Sequence, residues 1–106
     1  MNKKTIMLIH GAWMTPDCWG QFRSYCEARG YACVAPAWPY LDRPVEALRR
    51  SPAPELAGLT IKSLVDYHDG LIRALAEPPI LIGHSFGGLI VQMLLDRGLG
   101  AAGIAI

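Results

Sequence analysis

The apolar run Ile80-Leu81-Ile82 passes directly into Gly83-His84-Ser85-Phe86-Gly87-Gly88, and a helical pattern follows. Small-x-Ser-x-small between a short strand and a helix describes a sharp turn that holds a serine at an unusual backbone conformation, its hydroxyl projecting into a cleft. Crowding explains the glycines. A Cβ two residues before or after the serine would meet the neighbouring strand or helix, so Gly83 and Gly87 relieve the clash. A serine held in this way points to acyl-transfer chemistry with Ser85 as nucleophile. Such a nucleophile needs a base, yet after Ser85 the sequence holds one acid, Asp96, and no histidine.

Around this turn, strand and helix signals alternate with short joints. Thr5 to Ile9 is an apolar β run ending at His10-Gly11. Thr15-Pro16-Asp17 reads as the N-cap, first-turn proline and first-turn acid of a helix that runs to about Arg29 and stops at Gly30. Tyr31 to Ala35 is a second strand, cut by Pro36. A proline-rich loop follows, with Pro36, Pro39, Pro44, Pro52 and Pro54, and one helical turn around Val45–Arg50. Thr60 caps a helix whose Ile61, Leu64, Val65, His68, Leu71, Ile72 and Leu75 recur at the spacing of one buried face. Pro78-Pro79 closes it. Strand Ile80–Gly83, helix Phe86–Arg97, the terminator Gly98 and a last apolar run Ala101–Ile106 complete the chain. The order β-α-β-α-β-α-β with near-continuous apolar strands predicts an α/β fold, a parallel sheet with helices on both faces. Residues 1–106 read as one domain or part of one.

Composition narrows the function classes. Lys plus Arg is 10 and Asp plus Glu is 9, so the chain is near neutral and offers no basic stripe for nucleic acid. No apolar run approaches the ~20 residues of a membrane span, and the stretch after Lys3-Lys4 ends too soon for a secretory core. Cys18, Cys26 and Cys33 form no CxxC pair and read as free thiols, with no metal-site spacing. A cytoplasmic location follows as the default expectation.

His10-Gly11-Ala12-Trp13, at the end of the first strand, supplies the second motif. Acyl transfer through a serine generates an oxyanion that needs two convergent N–H donors. One is the backbone N–H of the residue after the serine, Phe86. The other comes from the loop after a neighbouring strand, where Gly11 lets the Ala12 N–H face the cleft. This requires adjacent strands 1 and 3 with strand 2 outside strand 1, hence the order 2-1-3-4 and a crevice at the strand ends. His10 is expected to fix the Gly11 loop by hydrogen bonding. His84 is expected to be a packed residue of the turn, pointing away from the serine, and Gly88 belongs to the same turn. His68 falls on the apolar face of its helix. Trp13, Trp38 and Tyr40 lie on loops at the cleft end, where they either line a substrate pocket or pack the loops onto the sheet. Trp19, Phe22 and Tyr25 are expected to pack the core side of the first helix. A dinucleotide fingerprint fits the turn poorly. Ser85 would replace the glycine that admits pyrophosphate, and the acid due about 20 residues later falls where the chain reads Gly-Ile-Ala-Ile.

HGAW after the first strand and GHSFGG after the third resemble the α/β-hydrolase superfamily, in the flavour of its small esterase, hydroxynitrile-lyase and haloperoxidase-like branch. The resemblance covers essentially the whole chain, as the N-terminal half of such a fold. It implies a serine hydrolase acting on a small carboxylic ester, with no metal or organic cofactor. Ser85 is then the nucleophile, and the Ala12 and Phe86 N–H groups form the oxyanion hole. It also implies the order Ser, then Asp or Glu, then His, so the matching acid and histidine are expected beyond Ile106. Truncation leaves the last strand as an open edge, to be met by the missing half or by self-association. Within the fold, a hydroxynitrile lyase or a cofactor-free haloperoxidase would reuse the same serine and hole. A different class of reading is a catalytically inactive fragment that only binds a ligand or partner.

Overall fold

The computed structural model describes residues 3–106. Four strands, β1 (Ile6–Ile9), β2 (Cys33–Val34), β3 (Ile80–Gly83) and β4 (Ala102–Ala105), form one sheet. All are parallel, in the order β2-β1-β3-β4. The expected fold class, strand order and central position of β1 and β3 are all present. The register sets Ile9 beside Gly83, so the His10-Gly11 loop and the serine turn leave the sheet from neighbouring strand ends.

Alternation along the strands sorts the core into two layers. Met7, Ile9 and Leu81 pack with Leu64, Val65 and Ile72 of α3 (Ile61–Arg73) and Ile90, Val91 and Leu94 of α4 (Phe86–Asp96). On the other face Ile6, Leu8, Cys33 and Ile82 pack with Trp19, Cys26 and Tyr31. Trp19 ends a 3-10 turn, Pro16–Trp19, and α1 (Gly20–Ala28) continues from it. Helices therefore cover both faces, and the α3–α4 face holds the larger core.

The chain's punctuation is local chemistry. Thr15 Oγ1 accepts from the Asp17 N–H at 3.3 Å, and Thr60 with Ser63 forms a reciprocal capping box that starts α3. Both α1 and α4 end in Schellman turns. Tyr31 N–H donates to Cys26 O and Gly30 N–H to Glu27 O, while Leu99 N–H donates to Leu94 O and Gly98 N–H to Leu95 O. Gly30 and Gly98 have φ of +91° and +78°. Arg97, just past α4, reaches Asp66 at 2.9 Å and Asp69 at 3.0 Å on α3. These pairs are solvent-screened, so they align the two helices more than they stabilise them.

The structure corrects several expectations. The first helix is split, with a 3-10 turn before α1, because Pro16 starts a tight turn. β2 spans only two residues rather than Tyr31–Ala35. A second 3-10 turn, Pro54–Gly58, follows α2 (Val45–Arg50). Trp19 is buried, but Phe22 and Tyr25 are exposed, since α1 buries no residue completely and only part of its surface meets the sheet. Tyr25 carries the Arg29 guanidinium over its ring instead. Ile61, at the start of α3, is also largely exposed.

Leu94 is fully buried beneath the sheet while its neighbour Leu95 is 38% exposed. Leu94→Ala is expected to lose about 2–5 kcal/mol in urea unfolding, as cavity-forming substitutions do. Leu95→Ala should lose clearly less, and equal losses would contradict this packing.

Candidate active site

β3 delivers the chain to Ser85, which stands at φ 58° and ψ −120° immediately before α4. This conformation is sparsely populated and costs on the order of 1–3 kcal/mol. The surrounding contacts impose it. A Cβ on Gly83 would overlap the Gly87 carbonyl and meet Val91 Cγ2 at 2.7 Å, and one on Gly87 would overlap Ile9 O and meet His10 O at 2.8 Å. The expected steric reason for both glycines is therefore met. Backbone bonds hold the turn: His84 N–H to Ile9 O at 3.2 Å, Ser85 N–H to Ile106 O at 2.8 Å, and Gly87 N–H to His84 O at 2.9 Å. Gly88 N–H donates to Ser85 O at 2.9 Å, and a Cβ on Gly88 would press on Ala105 at 3.3 Å. Ser85 remains exposed.

The loop after β1 comes directly against this turn. A Cβ on Gly11 would lie 3.0 Å from His84 O, 3.3 Å from Ser85 Cβ and 3.5 Å from Phe86 N. Hence the chain at Gly11 lies beside the serine and beside the first N–H of α4. Neither the Ala12 N–H nor the Phe86 N–H is taken by a hydrogen bond among the described residues. At the N-terminus of an eleven-residue helix, the Phe86 N–H also stands in positive potential.

His10 organises the floor of this arrangement and is wholly buried. Its Nδ1 lies 2.8 Å from Gly11 O, and its Nε2 accepts from the Trp38 N–H at 3.1 Å. Those partners fix the neutral tautomer, with Nδ1–H donating and Nε2 accepting. The ring stacks on Trp38 with centroids 5.1 Å apart, and Trp38 meets Phe86 edge-on at 5.7 Å. One imidazole thus ties the end of β1 to the loop after β2, as expected for a loop-fixing residue. Tyr67 Oη donates to Ala37 O at 3.0 Å and fastens the same loop to α3. His68 is buried too, with Nδ1 2.8 Å from Leu64 O and Nε2 without a partner among the described residues. Burial pushes both imidazoles below their ordinary pKa of 6.5. His84 is half-buried and makes no side-chain hydrogen bond among the described residues.

Beside Ala12 and Phe86 opens a cavity of about 440 Å³. Trp13, Trp38, Leu41, Leu56, Leu59 and Leu64 supply its apolar wall, with Thr60 and Ile61 at one side. Trp38 and Trp13 border this cavity in different ways: Trp38 is buried, while Trp13 stands fully exposed at φ 59°. Tyr40 is not part of the wall. Leu41 N–H donates to Trp38 O, placing Pro39 and Tyr40 at the middle of a tight turn with Tyr40 at φ 70° and 45% exposed. Leu41, Leu56 and Leu59 of this wall escaped the sequence reading, and Leu64 entered it only as a core residue of its helix. Their only signal was the i, i+3 spacing of Leu56 and Leu59 in a loop assigned to prolines.

No described histidine serves Ser85 as a base. His10 and His68 are buried, with His10 committed at both nitrogens, and Asp96 lies at the far end of α4, about 15 Å along its axis. Among the described residues, no three His, Cys, Asp or Glu side chains are grouped to hold a metal ion, and no helix is long and apolar enough to cross a membrane.

A parallel sheet with a strained serine between β3 and α4, faced by the loop after β1, defines a class of fold. The sequence pattern of the alpha/beta hydrolase family matches residues 6–106, and the chain belongs to that family. Among curated proteins it is 26% identical over 108 aligned residues to Methylesterase 8 of Arabidopsis thaliana, covering 92% of this chain and 34% of that protein. Among solved structures, a pyrethroid hydrolase from Sphingobium faniae JZ-2 superposes with TM-score 0.69 at 24% identity, over 96% of this chain and 38% of that one. A monoacylglycerol lipase from Paleococcus ferrophilus gives TM-score 0.72 at 21% identity, over 94% and 37%. At these identities the structural likeness establishes the fold. The chain spans about a third of the length of the curated relative it matches.

Two outcomes test this geometry. Gly87→Ala, which in an open helix would add stability, is expected to lose about 3 kcal/mol or more through overlap with β1. Gly58→Ala, where nothing stands within 4 Å of the added carbon, should leave urea unfolding nearly unchanged. The second concerns acid. His10 and His68 resist protonation when folded but take up protons near pH 6.5 when unfolded, so stability should fall as pH drops below about 6.5. Urea midpoints at pH 7.5 and 5.5 read this directly, and His68→Gln should flatten the difference.

Proposed function

We propose that this chain carries the nucleophile and oxyanion hole of a serine hydrolase acting on small, neutral carboxylic esters. The observation that carries the reading is Ser85 at φ 58° with Gly11 packed against it. Strain of this kind persists only where the surroundings over-determine it, and it projects the hydroxyl from the turn. In the proposed reaction Ser85 Oγ attacks the ester carbonyl. The carbonyl oxygen takes up negative charge and is held by the N–H groups of Ala12 and Phe86. The alcohol leaves, and water then hydrolyses the acyl group from Ser85.

The substrate class follows from the cavity beside the hole, whose wall includes no ionisable side chain. A charged acyl group would lose hydration there without a counter-charge. Trp13 and Trp38 fit an apolar or aromatic group. The methylesterase relative supports ester chemistry.

No described residue fills the roles of the base and its orienting acid, and since the chain spans about a third of the length of its curated relative, we propose that a region outside these residues supplies them. Reading the coding frame past Ile106 is expected to reveal an acid after a later strand and a histidine in a loop near the C-terminus; a stop codon there overturns that assignment. On the longer protein, Ser85→Ala should lower kcat for a short p-nitrophenyl ester by about 10⁶ while leaving about 10³ over water. Activity that survives Ser85→Ala unchanged would overturn the nucleophile. The 106-residue chain alone should show no turnover.

A further inference from the structure

Two of the three free cysteines lie in one apolar cluster on the face of the sheet away from α4. The Schellman turn at Gly30 reverses the chain after α1, so that β2 runs back beneath the helix. Cys33 is buried on β2, beside Ile6 of β1. Cys26 is half-buried on α1 and packs against the cluster that holds Cys33. Arg23, one helical turn before Cys26, donates from Nη2 to the Cys33 carbonyl at 3.0 Å, which locks that face of α1 over β2. Burial pushes the Cys33 thiol up, and the neighbouring charges of Cys26 and Glu27 add to this while Arg23 opposes it. Cys18 stands apart, exposed on the 3-10 turn Pro16–Trp19.

We propose that Cys26 and Cys33 form a modification site, a thiol pair that low-molecular-weight disulfides of the oxidised-glutathione type convert into an intramolecular disulfide clasping α1 to β2. The steps balance. Cys26, the more accessible thiol, loses its proton to solvent and attacks one sulfur of the disulfide, forming a mixed disulfide and expelling one thiolate. Cys33 then loses its proton and attacks Cys26 Sγ, expelling the second thiolate. Two protein thiols are oxidised by two electrons, and one small disulfide is reduced to two thiols. The buried, high-pKa Cys33 is slow to react on its own and acts only when a sulfur is presented beside it. The clasp closes a short loop containing Gly30, so it restricts the unfolded chain. This site is independent of Ser85.

The test treats the full 106-residue chain with excess oxidised glutathione, blocks remaining thiols and digests without reduction. Trypsin cuts after Arg29, between the two cysteines, so the expected product is a pair of joined peptides carrying Cys26 and Cys33, with Cys18 recovered as glutathione adduct or blocked thiol. The oxidised protein should melt higher than the reduced one by on the order of 10 °C, and Cys26→Ser should abolish both the joined peptides and the shift. Because Cys33→Ser alters a buried position, Cys26→Ser is the deciding variant. A mixed disulfide that stops at Cys26, a linkage through Cys18, or free Cys26 and Cys33 after treatment would each overturn the proposal.

Discussion

The structure depends on one close approach, that of α4 to the end of β1. At Gly87 the helix comes so near the carbonyls of Ile9 and His10 that a side-chain carbon has no room, and Gly83 faces Gly87 in the same way. The helix cannot back away, because Ile90, Val91 and Leu94 are fully buried against the sheet. Each such side chain contributes about 1.5–3 kcal/mol by burial. The strain at Ser85, on the order of 1–3 kcal/mol, is smaller than what the helix gains by docking. Packing therefore wins over backbone preference, and the serine is held where local propensity alone would never leave it.

The same approach explains why the loop after β1 lies against the serine turn. Ile9 and Gly83 are register partners, so the segments that follow them start side by side. From there Gly11 sits against Ser85 and Phe86, while His10 turns inward and joins the Trp38 loop. A buried imidazole suits that task because it bridges two backbone groups as one donor and one acceptor without carrying charge. A lysine or carboxylate there would bring its desolvation penalty with it.

Local physics decided what could be read from sequence. The central strands, the cap at Thr60, the terminators Gly30 and Gly98 and the serine turn each depend on a few neighbouring residues and are found where the chain suggests, while β2 is shorter and Thr15 caps a 3-10 turn instead of a long helix. The order of strands was legible because two motifs had to share one crevice. Phe22 and Tyr25 failed because periodicity says which residues share a helix face, not how much of that face is covered. Tyr40 failed because Trp38-Pro39-Tyr40-Leu41 folds as a tight turn, and loop position says nothing about which way a ring leaves it. The leucine wall was hidden because Leu41, the turn carrying Leu56 and Leu59, and Leu64 of α3 are brought together only in the fold. The sharing of one apolar cluster by Cys26 and Cys33 was equally hidden, since it needs the reversal at Gly30 and the docking of α1 at once.

On the proposed function, catalytic labour divides along a physical line. An oxyanion hole is made of backbone N–H groups, whose positions depend on strand register and on glycines too close to bear side chains. It must be built by the segments that form the sheet's centre, and here residues 9–13 and 83–88 lie together. A general base is a side chain, able to reach a nucleophile from any element that ends near it, provided the nucleophile is open to approach. Ser85 is open in this way, while its backbone is held on all sides. On the proposed function, the part of the machinery that tolerates least positional error is backbone at the ends of β1 and β3, and the part that tolerates more is a side chain free to approach Ser85 from another element.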